Sequence, residues 1–320
     1  MTCESGIPIE TPGPSINLFE AAKQLGFVAM GVSPCQRPLF FDPFRAWVAA
    51  GKQGDMAWLA RHMDIREDPG RLLEGCRSVV SLAYPYSVNR PATPDGYVAA
   101  RYTEPRRQDY HDRLRESAKQ VARLIETNYP GAKTRVCVDS APLLERSFAY
   151  ASGLGFIGKN NMLIVPGYGS YVFLTEVLTT ARIPRTDQGA IQNPCGDCRR
   201  CVEACPTGAL EKPFGVDAAK CLSYLTIEMK QMVDEKTGEK MGRCFFGCDR
   251  CQEVCPFNPK ESREDVSLPP VKSIQTMDEP SFKSVFGKTA FARAGLTKIR
   301  GNIAAMTGGC SPGEGEDGIL

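Results

Sequence analysis

Three things are missing from this chain of 320 residues, and each absence narrows what it can be. No apolar run approaches the roughly 18 residues that a membrane span requires, so no membrane contact is expected. The N-terminus, MTCESGIPIE, has neither a basic n-region nor an apolar h-region, so no signal peptide is expected and a cytoplasmic location is. Charge of one sign is also not in excess. The net charge of +2 gives no argument by itself for nucleic acid or against it. No internal repeat is visible. What remains, 42% apolar and 24% charged, is the composition of an ordinary soluble globular protein with room for one large domain or two modest ones.

Cysteine, by contrast, is plentiful. Fourteen cysteines in an exported chain would read as a disulfide scaffold, but the size, the spacing and the missing signal point to a reducing compartment and metal ligation. One run reads Cys195-x2-Cys198-x2-Cys201-x3-Cys205-Pro206, and a second reads Cys248-x2-Cys251-x3-Cys255-Pro256. The first has the full pattern of bacterial ferredoxins and the second has its latter part. Thiolates at this spacing hold [4Fe–4S] clusters, and the fourth cysteine of such a run reaches over to the other cluster. A C-x2-C-x2-C loop points three sulfurs at one cube, and the proline after the last cysteine turns the chain away. The expected ligands are therefore Cys195, Cys198, Cys201 and Cys255 for cluster 1, and Cys205, Cys248 and Cys251 for cluster 2. Cys221 and Cys244 compete for the last corner. Cys221 is preferred, because Cys244 lies only four residues from Cys248.

Two other metal readings are weaker. Zinc sites use four ligands in paired C-x2-C motifs and leave this longer array unexplained. Cys244-x3-Cys248-x2-Cys251 has the spacing of a radical S-adenosylmethionine motif, but that reading strands Cys255 and the whole first run. Cys3, Cys35, Cys76, Cys137 and Cys310 read as small buried apolar residues or tail residues.

The rest of the chain alternates. A helix capped by Asn17 (Leu18 to Leu25), a strand (Phe27–Val32), a helix from Asp42-Pro43 through Ala50, a helical stretch over 54–62 and a turn at Arg66–Pro69 are expected. Then come a strand (Ser78–Tyr84), a long amphipathic helix over 106–127 with Leu114, Val121, Leu124 and Ile125 on one face, and a strand (Arg135–Val138). A helix over 142–152, a glycine-rich loop over 152–160 and strands near 162–165 and 170–178 complete the body. The fold class expected is an α/β (α+β) body over 15–185, a ferredoxin-like double-cluster domain over 186–262 and a helical closure over 263–306. Flexible tails are expected at 1–14 and 307–320.

A bare electron carrier needs no such body. Several of its motifs resemble the epoxyqueuosine reductase family. They are Val138-Asp139-Ser140-Ala141-Pro142-Leu143-Leu144-Glu145-Arg146, Gly153–Asn160, Gly169–Glu176, Cys221–Glu228 and Gly247–Gln252. Gly54–Trp58, Arg66-x-Asp68-Pro69 and Asp109-Tyr110-His111 match less closely. The resemblance implies a cobalamin-binding enzyme with two [4Fe–4S] clusters. Electrons would pass from the clusters to cobalamin, and the epoxide of epoxyqueuosine in tRNA would be reduced to queuosine. Epoxide to alkene takes two electrons while each cluster delivers one, and a cofactor metal that changes by two oxidation levels bridges the mismatch.

Carried over by motif, Asp139 is the proton donor, with a carboxyl pKa that burial against a corrin face would raise. The same resemblance puts Arg66, Tyr110, Asp139, Arg146, Leu163, Ile164, Val165, Leu174, Ser223 and Gln252 around cobalamin. On the residues alone, Asp139 reads as the cap of a helix starting at Ser140, with Arg146 two turns along it, and Leu163, Ile164, Val165 and Leu174 read as core strand. Lys159-Asn160 is a candidate anchor for a cofactor amide or phosphate. The implied partners are the anticodon stem-loop of tRNA and a low-potential donor such as ferredoxin or flavodoxin, with the chain a monomer. Many members continue into helical repeats that help hold tRNA, whereas this sequence stops at residue 320. A related cobalamin reductase of a small molecule, such as a reductive dehalogenase, and a bare two-cluster electron carrier are the alternatives.

Overall fold

Two long strands, β2 (Ser78–Pro85) and β8 (Val172–Thr179), are buried along almost their whole length. Runs such as VFLTEVLT, rich in β-branched and aromatic residues, suit strands covered on both faces. They pair antiparallel at the centre of a sheet whose edges are β1 (Ala29–Pro34) and β5 (Thr134–Cys137), in the order β1-β2-β8-β5. The structure, a computed structural model, describes residues 18–185, 193–211, 214–260 and 263–308. The Asn17 cap, the expected tail at 1–14 and all but the first two residues of the tail at 307–320 lie outside the described residues, as do Cys3 and Cys310.

Helices α1 (Leu18–Gln24) and α4 (Tyr110–Asn128) cover one face of this sheet. On α4 the buried residues are Leu114, Ala118, Val121, Ala122 and Ile125, a stripe at the spacing of one helix face, with Leu124 at its half-buried margin. Between α1 and α4 in sequence lie the short helices α2 (Phe41–Ala49) and α3 (Met63–Glu67). Helix α5 (Glu145–Ala151) crosses the opposite face. It comes so close that a Cβ on Gly31 would sit 2.3 Å from the Ser152 carbonyl oxygen, which only glycine avoids.

A second sheet joins distant parts of the chain. Its centre is the antiparallel pair β3 (Arg90–Ala92) and β4 (Val98–Ala99). Strand β9 (Cys244–Phe246) lies parallel to β4 and β10 (Glu264–Val266) parallel to β3, in the order β10-β3-β4-β9. The body, the cysteine region and the C-terminal segment thus share one sheet. A small hairpin of β6 (Phe156–Ile157) and β7 (Leu163–Ile164) carries the glycine-rich loop.

The cysteine region holds α6 (Arg200–Glu203), α7 (Leu222–Ile227), α8 (Glu235–Met241) and α9 (Arg250–Glu253), and the closing segment holds α10 (Val271–Thr276), α11 (Glu279–Phe286) and α12 (Gly295–Met306). Phe245 and Phe246 of β9 pack with Phe282, Phe286, Phe291, Ile299 and Ile303 into a separate apolar core.

Several expected boundaries shift. The segment 54–62 is turns and one 3₁₀ turn, Ala57–Leu59, and α3 follows where a turn was expected at Arg66. The helix expected over 142–152 starts at Glu145, because residues 140–144 form a turn after Asp139. The helical stretch over 280–306 breaks into three at Gly287 and Gly295. Among the described residues no helix is long and apolar enough to cross a membrane.

Candidate active site

Asp139 leaves β5 with φ 52°, a left-handed backbone that a non-glycine residue rarely adopts and that often marks a functional position. It caps no helix. Its own N–H donates to Glu145 Oε1 at 2.7 Å, and its carboxylate turns toward the start of α4. Tyr110 Oη donates to Asp139 Oδ2 at 2.9 Å, and His111 Nε2 meets the same oxygen at 2.9 Å. The expected cap fails because α5 begins six residues later, and Arg146 therefore shares no helix face with Asp139. Helix α4 is capped instead by Asp109, which accepts from the His111 backbone N–H and lies 2.6 Å from His111 Nδ1. One imidazole is thereby held between two carboxylates.

The Asp139 side chain is 58% exposed, yet the protein around it still desolvates its charge. That combination describes a group on the wall of an open recess. Tyr110 stacks on Phe173 at 4.3 Å to form the adjoining wall. Arg293, paired with Glu228 at 3.0 Å and lying 5.0 Å over the Trp58 ring, is near enough to act on Asp139. Arg66 is buried, stands over the Phe44 ring and feels the charge of Glu145. Its Nε is buried and has no hydrogen-bond partner among the described residues.

The protein's own groups pull the Asp139 carboxyl in the direction opposite to the rise expected of burial against a corrin face. Asp139 is held below the usual carboxylate range, chiefly by the hydrogen bond from His111, against a burial effect of the opposite sign. Burial alone would lower His111, but Asp109 and Asp139 outweigh it and lift the imidazole to about 9. The proton therefore resides on His111 rather than on Asp139. Glu145, pressed by burial and by the charge of Asp139, rises to about 8. Behind it, Glu176 at the middle of β8 is raised far above 4.5 by burial and by Glu145.

Arg146, on α5, reaches the Asn161 carbonyl and feels both Glu145 and Asp139. Gln252 joins this neighbourhood indirectly. It accepts from Tyr86 Oη at 3.3 Å and Ser170 Oγ at 2.9 Å, and the Tyr86 ring lies 4.8 Å from Phe173. Leu163 and Val165 are buried in the core beneath α5 with Leu174 at its edge, as their composition suggested. Ile164 faces the cysteine region instead. Ser223 lies half-buried on α7. Lys159 and Asn160 do not point to the recess. Lys159 Nζ donates to the carbonyls of Gly196 and Cys198, and Asn160 Nδ2 to that of Cys251. They tie the glycine-rich loop to both cysteine loops.

The cysteines fall into two groups. Cys195, Cys198, Cys201 and Cys255 ring a small cavity of about 20 Å³, lined also by Gly158, Ile164 and Phe257. Cys205, Cys221, Cys248 and Cys251 form the second group, in which Cys221 senses Cys205, Cys248 senses Cys221, and Cys251 senses both Cys248 and Cys221. Helices α6 and α9, carrying Cys201 and Cys251, pack side by side. Cys244 is turned elsewhere. Its Sγ donates at 3.5 Å to the carbonyls of Phe246 and Gly247, and burial pushes its thiol up to about 12. Among the described residues no three His, Cys, Asp or Glu side chains converge tightly enough to hold a single metal ion. Sulfurs spread around a cavity suit a cluster better than a lone ion.

Sequence reasoning passed over Glu176, Arg101 and the role of His111. Arg101 is 1% exposed and binds Asp249 Oδ2 at 3.2 Å and Glu253 Oε1 at 2.6 Å, on either side of Cys251. A charged residue inside the apolar run of β8 was the available signal for Glu176.

Comparison with known proteins bears on these sites. Residues 194–258 match a family described as "4Fe-4S double cluster binding domain", and residues 66–140 match one described as "Epoxyqueuosine reductase QueG, DUF1730". An epoxyqueuosine reductase of Leadbetterella byssophila is 35% identical over 291 residues, covering 88% of this chain and 95% of that protein. A crystal structure of epoxyqueuosine reductase with an epoxyqueuosine-modified tRNA-Tyr stem loop superposes with a TM-score of 0.77 at 27% identity, over 91% of this chain and 80% of the other. The enzyme of Bacillus subtilis, solved with its catalytic aspartate loop swung out of the active site, gives a TM-score of 0.76 at 28% identity, again over 91% and 80%.

Proposed function

The chain belongs to the epoxyqueuosine reductase family, and from that premise we propose that it reduces the epoxide of epoxyqueuosine in tRNA to the alkene of queuosine. The double-cluster match and the two cysteine groups supply the redox half of this reading. Cys195, Cys198, Cys201 and Cys255 would hold one [4Fe–4S] cluster, and Cys205, Cys221, Cys248 and Cys251 the other. The spare proton of Cys244 is engaged by backbone carbonyls, which favours Cys221 as the eighth ligand.

In this reading cobalamin would bind in the open recess beside Asp139. The observation that suits a large polar cofactor is Arg66, buried with an unpartnered Nε. A buried donor of this kind calls for an acceptor from a ligand. Arg66, Tyr110, Arg146 and Asp139 would contact it near the reacting centre, with Leu174, Ser223 and Gln252 further out. When bound, the clusters supply single electrons from a low-potential donor and the cobalamin a metal that changes by two oxidation levels.

The chain's own residues handle the proton. Reducing an epoxide to an alkene and water consumes two electrons and two protons, and the oxygen leaves only when protonated. Asp139, exposed in the recess and tethered by Tyr110 and His111, is placed to protonate it. The tethering carboxylate with an open side carries this reading. Turnover of an epoxyqueuosine-containing tRNA stem-loop by anaerobically reconstituted protein tests it. The Asp139→Asn variant is expected to keep eight irons and its cobalamin while epoxide reduction falls by at least ~10²-fold. Full activity in that variant removes Asp139 from the chemistry.

A further inference from the structure

We propose that the acid of this site is a His111–Asp139 pair, in which His111, clamped by Asp109, stores the proton that Asp139 hands to the leaving oxygen. The inference rests on the functional reading above and deepens it. It begins from geometry. His111 Nδ1 lies 2.6 Å from Asp109 Oδ1 and Nε2 lies 2.9 Å from Asp139 Oδ2. An imidazole whose two nitrogens both face carboxylate oxygens is best satisfied as the cation, with both N–H groups donating. A carboxylate that accepts from Tyr110 Oη and from a charged imidazole on one oxygen is best satisfied as the anion.

Every charged group around the ring agrees with this distribution except one. Asp109 and Tyr110 are its neighbours on α4, and Tyr110 stacks on it at 4.1 Å. Asp139 faces it from the β5–α5 connection and attracts the cation, while Glu145, raised to about 8, is largely neutral near pH 7. Arg293 acts from the 3₁₀ turn over 290–293 and opposes it, although its guanidinium is largely occupied by Glu228. The protonated imidazole persists up to about 9.

The transfer balances. The proton leaves His111 Nε2 along the 2.9 Å hydrogen bond to Asp139 Oδ2, and the carboxyl passes it to the oxygen as the carbon–oxygen bond breaks. His111 is left neutral, still donating from Nδ1 to Asp109; it recovers a proton from solvent, and the same relay then delivers the second proton, which turns the freed oxygen into water. The two electrons come from the low-potential donor through the cofactors. On this scheme His111 acts through Asp139. It is a positioning and proton-storing residue, and Asp109 sets its tautomer, a division of labour familiar from hydrolytic triads.

The chain has two histidines, so ¹⁵N-histidine NMR of the cluster-loaded protein separates His111 from His62 with one substitution. His111 is expected to titrate near 9 in the wild type and to fall toward the ordinary ~6.5 in Asp139→Asn. In parallel, single-turnover epoxide reduction is followed against pH. The wild type should lose activity as pH rises through about 9, where His111 deprotonates. His111→Gln keeps a donor toward Asp139 but stores no proton. It should be slower by about 10²-fold at neutral pH and regain rate only as the medium becomes acidic enough to protonate Asp139 itself. An ordinary His111 titration overturns the proposal. So does a His111→Gln enzyme with the wild-type rate and the wild-type alkaline limb. A wild-type enzyme that leaves the epoxide intact refutes the functional reading instead, and the NMR titration alone then decides where the proton is stored.

Discussion

Glu176 offers the sharpest test of how the body is built. It is 0% exposed, and neither carboxyl oxygen has a hydrogen-bond partner among the described residues. Its cross-strand neighbours are Ser81 on β2, whose hydroxyl is equally unpartnered, and Cys137 on β5. Burial and the nearby Glu145 keep the carboxyl protonated when the chain is folded, far above its ordinary 4.5. In the unfolded chain it ionises near 4.5. The folded state then holds a proton that the unfolded state releases, so stability must fall as pH rises above 4.5 and keep falling until the folded group itself ionises. Each pH unit in that window is worth up to ~1.4 kcal/mol.

Glu176→Gln removes the titration and keeps the shape. The amide introduces its own unpaired N–H groups at a penalty of ~1–3 kcal/mol, so the absolute change near neutral pH is a modest stabilisation. The slope is free of that offset. The stability of the variant relative to the wild type should grow as pH rises above about 5.5, by up to ~1.4 kcal/mol per unit. Urea unfolding of anaerobic, cluster-loaded protein, followed by circular dichroism at matched pH values, measures the difference. A gap that stays constant with pH would mean that Glu176 is ionised in the fold, and the reasoning from burial fails.

Other outcomes follow from the same structure. Cys221→Ala should lower the iron content from eight toward four per chain while Cys244→Ala leaves it at eight, as read by iron assay after anaerobic reconstitution, and the reverse pattern exchanges their roles. Replacing Arg101, 1% exposed, by Met should destabilise the protein by ~3–5 kcal/mol, because it leaves Asp249 buried without its cation. Since Asp249 and Glu253 flank Cys251, the same variant should lose iron on mild heating before the wild type does. An unchanged melting temperature and iron content would show that the buried ion pair contributes little.

How much of this was legible in the sequence differs from residue to residue. The cysteine runs were readable because ligand spacing within each loop is a local property. Helix α4 was readable because nineteen residues give the apolar stripe several turns to declare itself. Strands β3, β4, β9 and β10 were not, since two or three residues carry no period and the outer pairs join positions as distant as Val98 and Cys244, or Arg90 and Glu264. Asp139 was singled out by resemblance, but its left-handed backbone and its turn toward α4 have no local cue, so a helix cap looked as good. Its hydrogen-bond partners have no local cue either. A depressed carboxyl depends on His111, which only the packing of α4 against β5 brings within reach. Lys159 and Asn160 looked like cofactor anchors because a polar pair after a glycine-rich loop does not reveal which backbone it will meet.

The shared sheet also bears on how the chain is made. During synthesis the β3–β4 ribbon emerges with both flanks bare, and of the strands that cover them β9 comes off the ribosome between the two cysteine runs and β10 after the second. Exposed ribbon edges recruit foreign strands, so the interval before closure is when the newborn polypeptide is most prone to stick to its neighbours. Sulfur ligands and edge protection arrive together. Starving cells of iron should therefore leave insoluble polypeptide, rather than a well-folded empty enzyme, as the main residue of failed assembly.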